Sequence, residues 1–193
     1  MVTAPGVGRI LHPRLLFALM VLICALLMAP AAAVVLPDRV TVNESFSEQT
    51  PDYGYLNFSS IQDAIDGVAT GGEVWVHNGT YREALVIDRS MSVLGVSAMT
   101  ALDQKRPVID VPGEAIGVEI TAGNVTFSGF EVTNATEIGI FAHGADAVSI
   151  EHNLVYLLNE TSPFTCGILF EDGAGACIGD NEVLVVGNSH QMG

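Results

Sequence analysis

Apolar and polar positions alternate in short runs along the second half of the chain, and the runs return at a nearly fixed interval. Ile116, Val118 and Ile120 recur 22 residues on as Ile138, Ile140 and Ala142, and 28 further on as Cys166, Ile168 and Phe170. Gly117, Gly139 and Gly167 keep the same place inside each triplet. A second run reads Val125 and Phe127, then Val148 and Ile150, then Ala176 and Ile178, at offsets of 23 and 28. A third reads Phe130 and Val132, Asn153 and Val155, Asn181 and Val183, again at 23 and 28. Successive side chains on a strand point to opposite faces, so each run buries one face. Three runs that shift together mean that the same strands come back once per turn of a larger spiral.

An antiparallel sandwich of short strands also alternates, but gives no reason for three separate runs to keep one offset. Parallel strands about 4.8 Å apart stack like on like, which hides the apolar rungs and lays Asn153 on Asn181 as an amide ladder. The expected architecture is an all-β solenoid. One segment has a helical period: Ile61, Ala64, Ile65 and Val68 fall at i, i+3, i+4 and i+7, a stripe on one helix face. Ser60 with Asp63 three residues later opens it as a capping box would, and Gly71-Gly72 stops it. This short amphipathic helix, residues 61–68, must cover something apolar. Residues 34–57 contain Pro37, Pro51 and Gly54 and no sustained period, and read as a linker or an N-terminal strap.

The residues that punctuate these runs resemble a known group. Ser60-Ile-Gln-Asp-Ala-Ile65, Gly72-Glu-Val-Trp-Val-His-Asn-Gly79-Thr-Tyr-Arg-Glu83, Leu85-Val-Ile87, Val93-Leu-Gly95, Val125-Thr-Phe-Ser-Gly129-Phe and Ile150-Glu-His-Asn153 are similar to the right-handed parallel β-helix proteins of the pectin-lyase-like superfamily, including NosD-like and surface-protein arrays. The likeness covers residues 58–190. It implies a right-handed parallel β-helix with the 61–68 helix as its N-terminal cap, and it speaks to fold far more than to activity, because function lives in sites grafted on such folds.

The N-terminus changes the expected address. Arg9, His12 and Arg14 precede an apolar run from Leu15 to Ala29, followed by Pro30, Ala31, Ala32 and Ala33. A basic start, a short apolar stretch and an Ala-x-Ala site are the parts of a secretory signal, cleaved after Ala33. An uncleaved anchor is the alternative, because about 20 apolar residues suffice to span a bilayer. In both cases the remainder is expected outside the cell, secreted or at the surface, and membrane contact is expected only through an uncleaved N-terminal segment. Asn43, Asn57, Asn78, Asn124, Asn134 and Asn159 each have Ser or Thr two residues on, which is six of the nine Asn after Ala33. Export makes these candidate N-glycosylation sites. Cys166 and Cys177 are the cysteines left after the leader; strand parity points the first inward and the second outward, which argues against a disulfide between them.

Charge then narrows the partners. Of 193 residues, 22 are acidic and 7 basic; removing Arg9 and Arg14 with the leader leaves 22 against 5, a net charge of −17. Nucleic acid, anionic membranes and polyanions are excluded as partners, since each needs clustered Lys and Arg. No Lys or Arg occurs after Arg106, so a lyase-like elimination, which the resemblance would run with a basic residue beside acid-bound calcium, lacks its base. The surface reads instead as strongly hydrated.

Parity also locates one outward face with binding chemistry. Opposite the Ile116, Ile138 and Cys166 triplets lie Glu119, Phe141, His143, Leu169 and Glu171. Phe141 beside Leu169 offers an apolar platform, and His143 beside Glu171 an ion pair at about one strand spacing. In carbohydrate-active β-helices, the resemblance implies, sugar lies along such a face. Glu119, Phe141, His143 and Glu171 are therefore the glycan-binding candidates, against the plain reading of a solvated β-face. Acids of the same face could serve a glycoside hydrolase, but among so many acids a close pair carries little information, and no catalytic residue is assigned. His77, His143, His152 and His190 have neither i, i+4 partners nor Cys-x-x-Cys company, so no metal or cofactor is expected. The Ala176 to Val186 rung leaves a parallel edge open, which suits end-to-end docking of this coil or an array continuing beyond it. The expected function is an exported, glycosylated, non-catalytic surface or adhesion-like module binding neutral glycans; the alternative is a carbohydrate-active enzyme, a polysaccharide lyase or glycoside hydrolase, or a remnant of one.

Overall fold

A computed structural model of the chain describes residues 35–96, 105–159 and 164–187. All strand pairings in it are parallel, and the strands build three stacks to which each of the four coils between Glu73 and Glu171 contributes one rung apiece. The seven-stranded sheet runs in the order β15 (Cys177–Gly179), β12 (Ser149–Glu151), β9 (Val125–Ser128), β6 (Met91–Val96), β3 (Glu73–His77), β1 (Arg39–Val42), β2 (Asn57–Phe58). The five-stranded sheet is β16 (Glu182–Gly187), β13 (Leu154–Asn159), β10 (Glu131–Thr133), β7 (Val108–Asp110), β4 (Thr80–Tyr81). The four-stranded sheet is β14 (Cys166–Glu171), β11 (Ile138–His143), β8 (Ile116–Ile120), β5 (Leu85–Ile87). This is the expected all-β parallel β-helix.

The registers place the repeated residues on one another. Ile140 pairs with Val118 on one side and Ile168 on the other; Ile150 with Phe127 and Ile178; Val155 with Val132 and Val183. Inward positions therefore form continuous apolar columns, from which Ile140, Ile150, Phe127, Val132 and Val155 are wholly excluded from solvent. Burial thins toward the last coil, where Ile178, Val183 and Val185 remain 47%, 46% and 40% exposed.

In the last three coils the corner between the seven- and five-stranded sheets is made by two residues. Gly129, His152 and Asp180 occupy the left-handed region there, with φ of 87°, 59° and 53°. A non-glycine residue adopts that conformation only where its surroundings hold it. The residue that follows supplies the hold. Asn153, completely buried, accepts the Phe130 N–H on Oδ1 at 3.0 Å and donates from Nδ2 to Phe127 O at 3.1 Å. Its Nδ2 also donates to Asn181 Oδ1 at 3.1 Å, and its own N–H donates to that oxygen at 2.9 Å. Asn181 Nδ2 donates to Ile150 O at 2.7 Å. The amide ladder thus bonds each corner to the coil before it. At the other side of the five-stranded sheet the glycine column has a steric cause: a Cβ on Gly117 would sit 2.7 Å from Gly139 O and 2.7 Å from Val132 Cγ1.

The N-terminal segment differs from the expected linker. Arg39-Val-Thr-Val42 alternates over four residues, too few to stand out among the prolines and turns, and Val40 and Val42 are buried as β1 pairs with β3. Residues 39–58 are a first partial coil, laid in the sheet before the helix. Helix α1 (Ile61–Gly67) follows with Ile61, Ala64 and Ile65 buried against the open end of that coil. Ser60 is its N-cap, its Oγ accepting the Asp63 N–H at 3.2 Å. The reciprocal partner is Glu83, 23 residues on, rather than Asp63: its carboxylate accepts from Ser60 Oγ at 2.7 Å, Ile61 N–H at 2.7 Å and Gln62 N–H at 3.1 Å. A carboxylate at a helix start satisfies orphan donors and complements the helix dipole.

Two outcomes follow for stability. Asn153→Ala leaves the Phe130 N–H buried without its acceptor and removes both Nδ2 bonds, and should lower unfolding free energy by about 3 kcal/mol, whereas Asn181→Ala should lower it by about 1 kcal/mol; urea midpoints at unchanged slope measure both. Glu83→Ala should cost about 1–2 kcal/mol and accelerate amide exchange at Ile61 and Gln62 ahead of the rest of the helix, as hydrogen-exchange mass spectrometry would detect.

Candidate functional site

The outward side of the four-stranded sheet carries the residues singled out by parity. Val86, Glu119, Phe141 and Leu169 stand in one column, because Val86 pairs with Glu119, Glu119 with Phe141 and Phe141 with Leu169. His143 and Glu171 are register partners in the next column. Backbone register is therefore as expected, but the polar pairing is not. His143 Nε2 lies 2.9 Å from Glu119 Oε1, a rung back and one column across, and Glu171 at the end of its strand is exposed. The reason is the ring beside it: the imidazole stacks on Phe141 with centroids 4.5 Å apart and planes 25° from parallel. Leaning over Phe141 points Nε2 at the coil before, where Glu119 directly adjoins Phe141.

The result is a half-exposed aromatic ring braced by an imidazole, which is fixed in turn by a carboxylate. Glu119 and His143 keep 33% and 38% of their side-chain surface in solvent, so the pair remains available to a ligand. A carboxylate accepts up to about four hydrogen bonds, and His143 takes one. The arrangement is poorly spaced for glycosidic cleavage. Glu119 and Glu171 belong to rungs two apart and to neighbouring columns, a backbone separation of about 12 Å, beyond both the about 5 Å of a retaining carboxyl pair and the about 6.5–9.5 Å of an inverting one.

Other aromatic and cationic groups face elsewhere. Trp75, on the outside of the seven-stranded sheet, is covered by the Arg39 guanidinium, 4.5 Å from its ring centroid. Arg39 also donates to Glu73 Oε2 from Nε at 2.8 Å, with Nη2 2.7 Å away, and Trp75 Nε1 donates to the same oxygen at 3.0 Å. The Arg39 contact, helped by Trp75, holds the Glu73 carboxyl below its ordinary range.

Sequence reading missed a cleft of about 520 Å³ on the five-stranded face. Its floor is the outward column Thr80, Val108, Glu131, Leu154 and Glu182, and Asn78, Gly79, Lys105 and Arg106 wall it. The column's spacing of 23, 23 and 28 from Val108 onward was readable; the wall comes from corners whose path the repeat does not dictate.

The remaining expected sites are structurally mixed. Asn78 and Asn124 are exposed in turns. Asn57 Nδ2 donates to Pro51 O at 2.8 Å and Asn134 Nδ2 to Asp110 Oδ1 at 2.7 Å; Asn43 Oδ1 accepts from Ser45 N–H at 3.0 Å. The Asn159 side chain and the leader, residues 1–33, lie outside the described residues. Cys166 is half-buried and Cys177 exposed, and both are free thiols. Cys177 Sγ meets Glu151 Oε1 at 3.2 Å, and that carboxylate raises the thiol's pKa. His152 Nε2 is 3.7 Å from Asp180 Oδ2 as a surface pair. Among the described residues no three His, Cys, Asp or Glu side chains gather as a metal site.

Comparison with known proteins adds to the fold. The sequence matches no protein-family profile and no curated protein. Two crystal structures of the pectin methylesterase from Aspergillus niger are similar in three dimensions. The first is of a form that retains an N-acetylglucosamine stub and the second of its deglycosylated form. Both give a TM-score of 0.51, at 15% and 16% identity, over 81% of this chain. The chain spans 60% and 59% of those proteins' length. What it shares with them is the backbone: this chain has the right-handed parallel β-helix fold of pectin-lyase-like proteins.

Proposed function

We propose that this protein is an exported, N-glycosylated, non-catalytic β-helix module that binds glycan along the outward face of the four-stranded sheet. The observation that carries the reading is the half-exposed Phe141 ring, braced by His143 and flanked by Glu119 in register. An apolar ring with a fixed carboxylate beside it suits a sugar, whose C–H face packs on the ring while its hydroxyls donate to the acid. Glu171, one rung beyond His143, extends the acceptor row. The secretory leader and the exposed sequons at Asn78 and Asn124 support a secreted or cell-surface address, and an acidic, sugar-coated exterior suits it.

A carbohydrate-active enzyme is the second reading, favoured by the structural likeness to pectin methylesterases. The spacing of Glu119 and Glu171 weighs against it, as does the absence of any Lys or Arg after Arg106. A glycan array followed by product analysis separates the two. Binding without product release is expected, with Phe141→Ala weakening affinity about tenfold. Turnover that Glu171→Gln abolishes would establish the enzyme instead.

A further inference from the structure

Resting on that glycan-binding reading, we infer that the four-stranded face selects linear glycans bearing protonated amines over neutral or acidic ones. One face of the Phe141 ring is covered by the His143 imidazole; the opposite face attracts a cation through the ring quadrupole, whereas a neutral hydroxyl gains little from that field. Glu119 adjoins Phe141 on the preceding rung, and Glu171 lies one rung ahead in the neighbouring column. The ring is thus set between two carboxylates on opposite sides along the stack. Glu119 is held by one hydrogen bond to His143, which fixes its direction and leaves its other lone pairs for a ligand.

His143 is the one basic side chain that meets these acids, and it meets Glu119 alone. Apart from His143, the side chains of β8, β11 and β14 that carry charge are all carboxylates, because the chain holds no Lys or Arg beyond Arg106. At the near end of the sheet, Arg89 is engaged by the Ile65 carbonyl and stands 3.7 Å from Asp88. Arg39 is paired with Glu73 on the seven-stranded face, and Arg82 lies 3.6 Å from Asp110. Lys105 and Arg106 line the cleft on the five-stranded face. Positive charge is therefore segregated away from Phe141 while the surrounding field is negative, which repels acidic sugars and concentrates cationic ones. The geometry suits a polymer: two carboxylates on rungs two apart and in neighbouring columns, about 12 Å between backbones, meet two substituents of one extended glycan.

The test is calorimetric titration of the full chain with a glucosamine tetrasaccharide and with its fully N-acetylated counterpart, in low and high salt. The cationic tetramer should bind about tenfold tighter in low salt, and the gap should close as salt screens it. Phe141→Ala should weaken both ligands. Glu171→Gln should cut affinity for the cationic tetramer about threefold while leaving the N-acetylated one unchanged, and Glu48→Gln on the N-terminal strap should alter neither beyond twofold. Equal affinity for the two tetramers overturns the inference but keeps the glycan-binding reading. Equal loss from Glu48→Gln and Glu171→Gln overturns the inference by reducing it to the field of the whole molecule. Failure of both tetramers to bind overturns the two together.

Discussion

The structure depends on one constraint, that its last three coils turn their two-residue corners at the same place on successive rungs. A parallel stack tolerates no drift, since a single-residue slip would turn every inward side chain to solvent. The left-handed residues Gly129, His152 and Asp180 bend the chain there, and the next residue ties the bend to its neighbour. Where Asn153 and Asn181 fill that position, side-chain amides do the tying. In the coil before them Phe130 fills it, and its ring stacks on Phe127 with centroids 4.6 Å apart. Polar and aromatic solutions to one corner meet on adjacent rungs, joined by the bond from the Phe130 N–H to Asn153 Oδ1.

Once corners are registered, inward columns follow from alternation alone, and the ends become the exceptional places. The N-terminal end is sealed by α1, whose apolar stripe covers the first coil. That seal is itself fastened from the next turn of the spiral by Glu83, so capping and coiling are not independent. Toward the last coil the same columns continue through Val183 and Val185 with substantial exposure, and the gain from burying them is correspondingly smaller.

How much of this was legible follows from the same logic. The repeat predicted which residues would lie on which, and Val118, Ile140 and Ile168 do stack in register. It failed at β1, whose Val40 and Val42 match Val74 and Val76 only at an offset of 34, outside the 22 to 28 that the later coils repeat. It also misassigned the capping acid: Asp63 had the local spacing, but Glu83 arrives through the fold, and no local pattern reports a contact 22 residues away. On the outward face, register correctly set His143 beside Glu171, yet the hydrogen bond went to Glu119 because Phe141 tilts the imidazole. Alternation fixes where a side chain leaves the backbone; it says nothing of where a long side chain ends.

That distinction explains why the fold is read more readily than the function. Inward positions answer to a common packing requirement repeated in every coil, so each coil informs the next. Outward positions are chemically independent of one another and of the core, and can change without disturbing it. The Phe141 platform, the Arg39 clasp over Trp75 and the cleft floored by Glu131 and Glu182 are three different solutions on three faces of one scaffold. Only one of them places an aromatic ring among carboxylates with the basic side chains directed elsewhere. It is on this local imbalance, rather than on the net charge of the whole chain, that the ligand preference proposed for the four-stranded face rests.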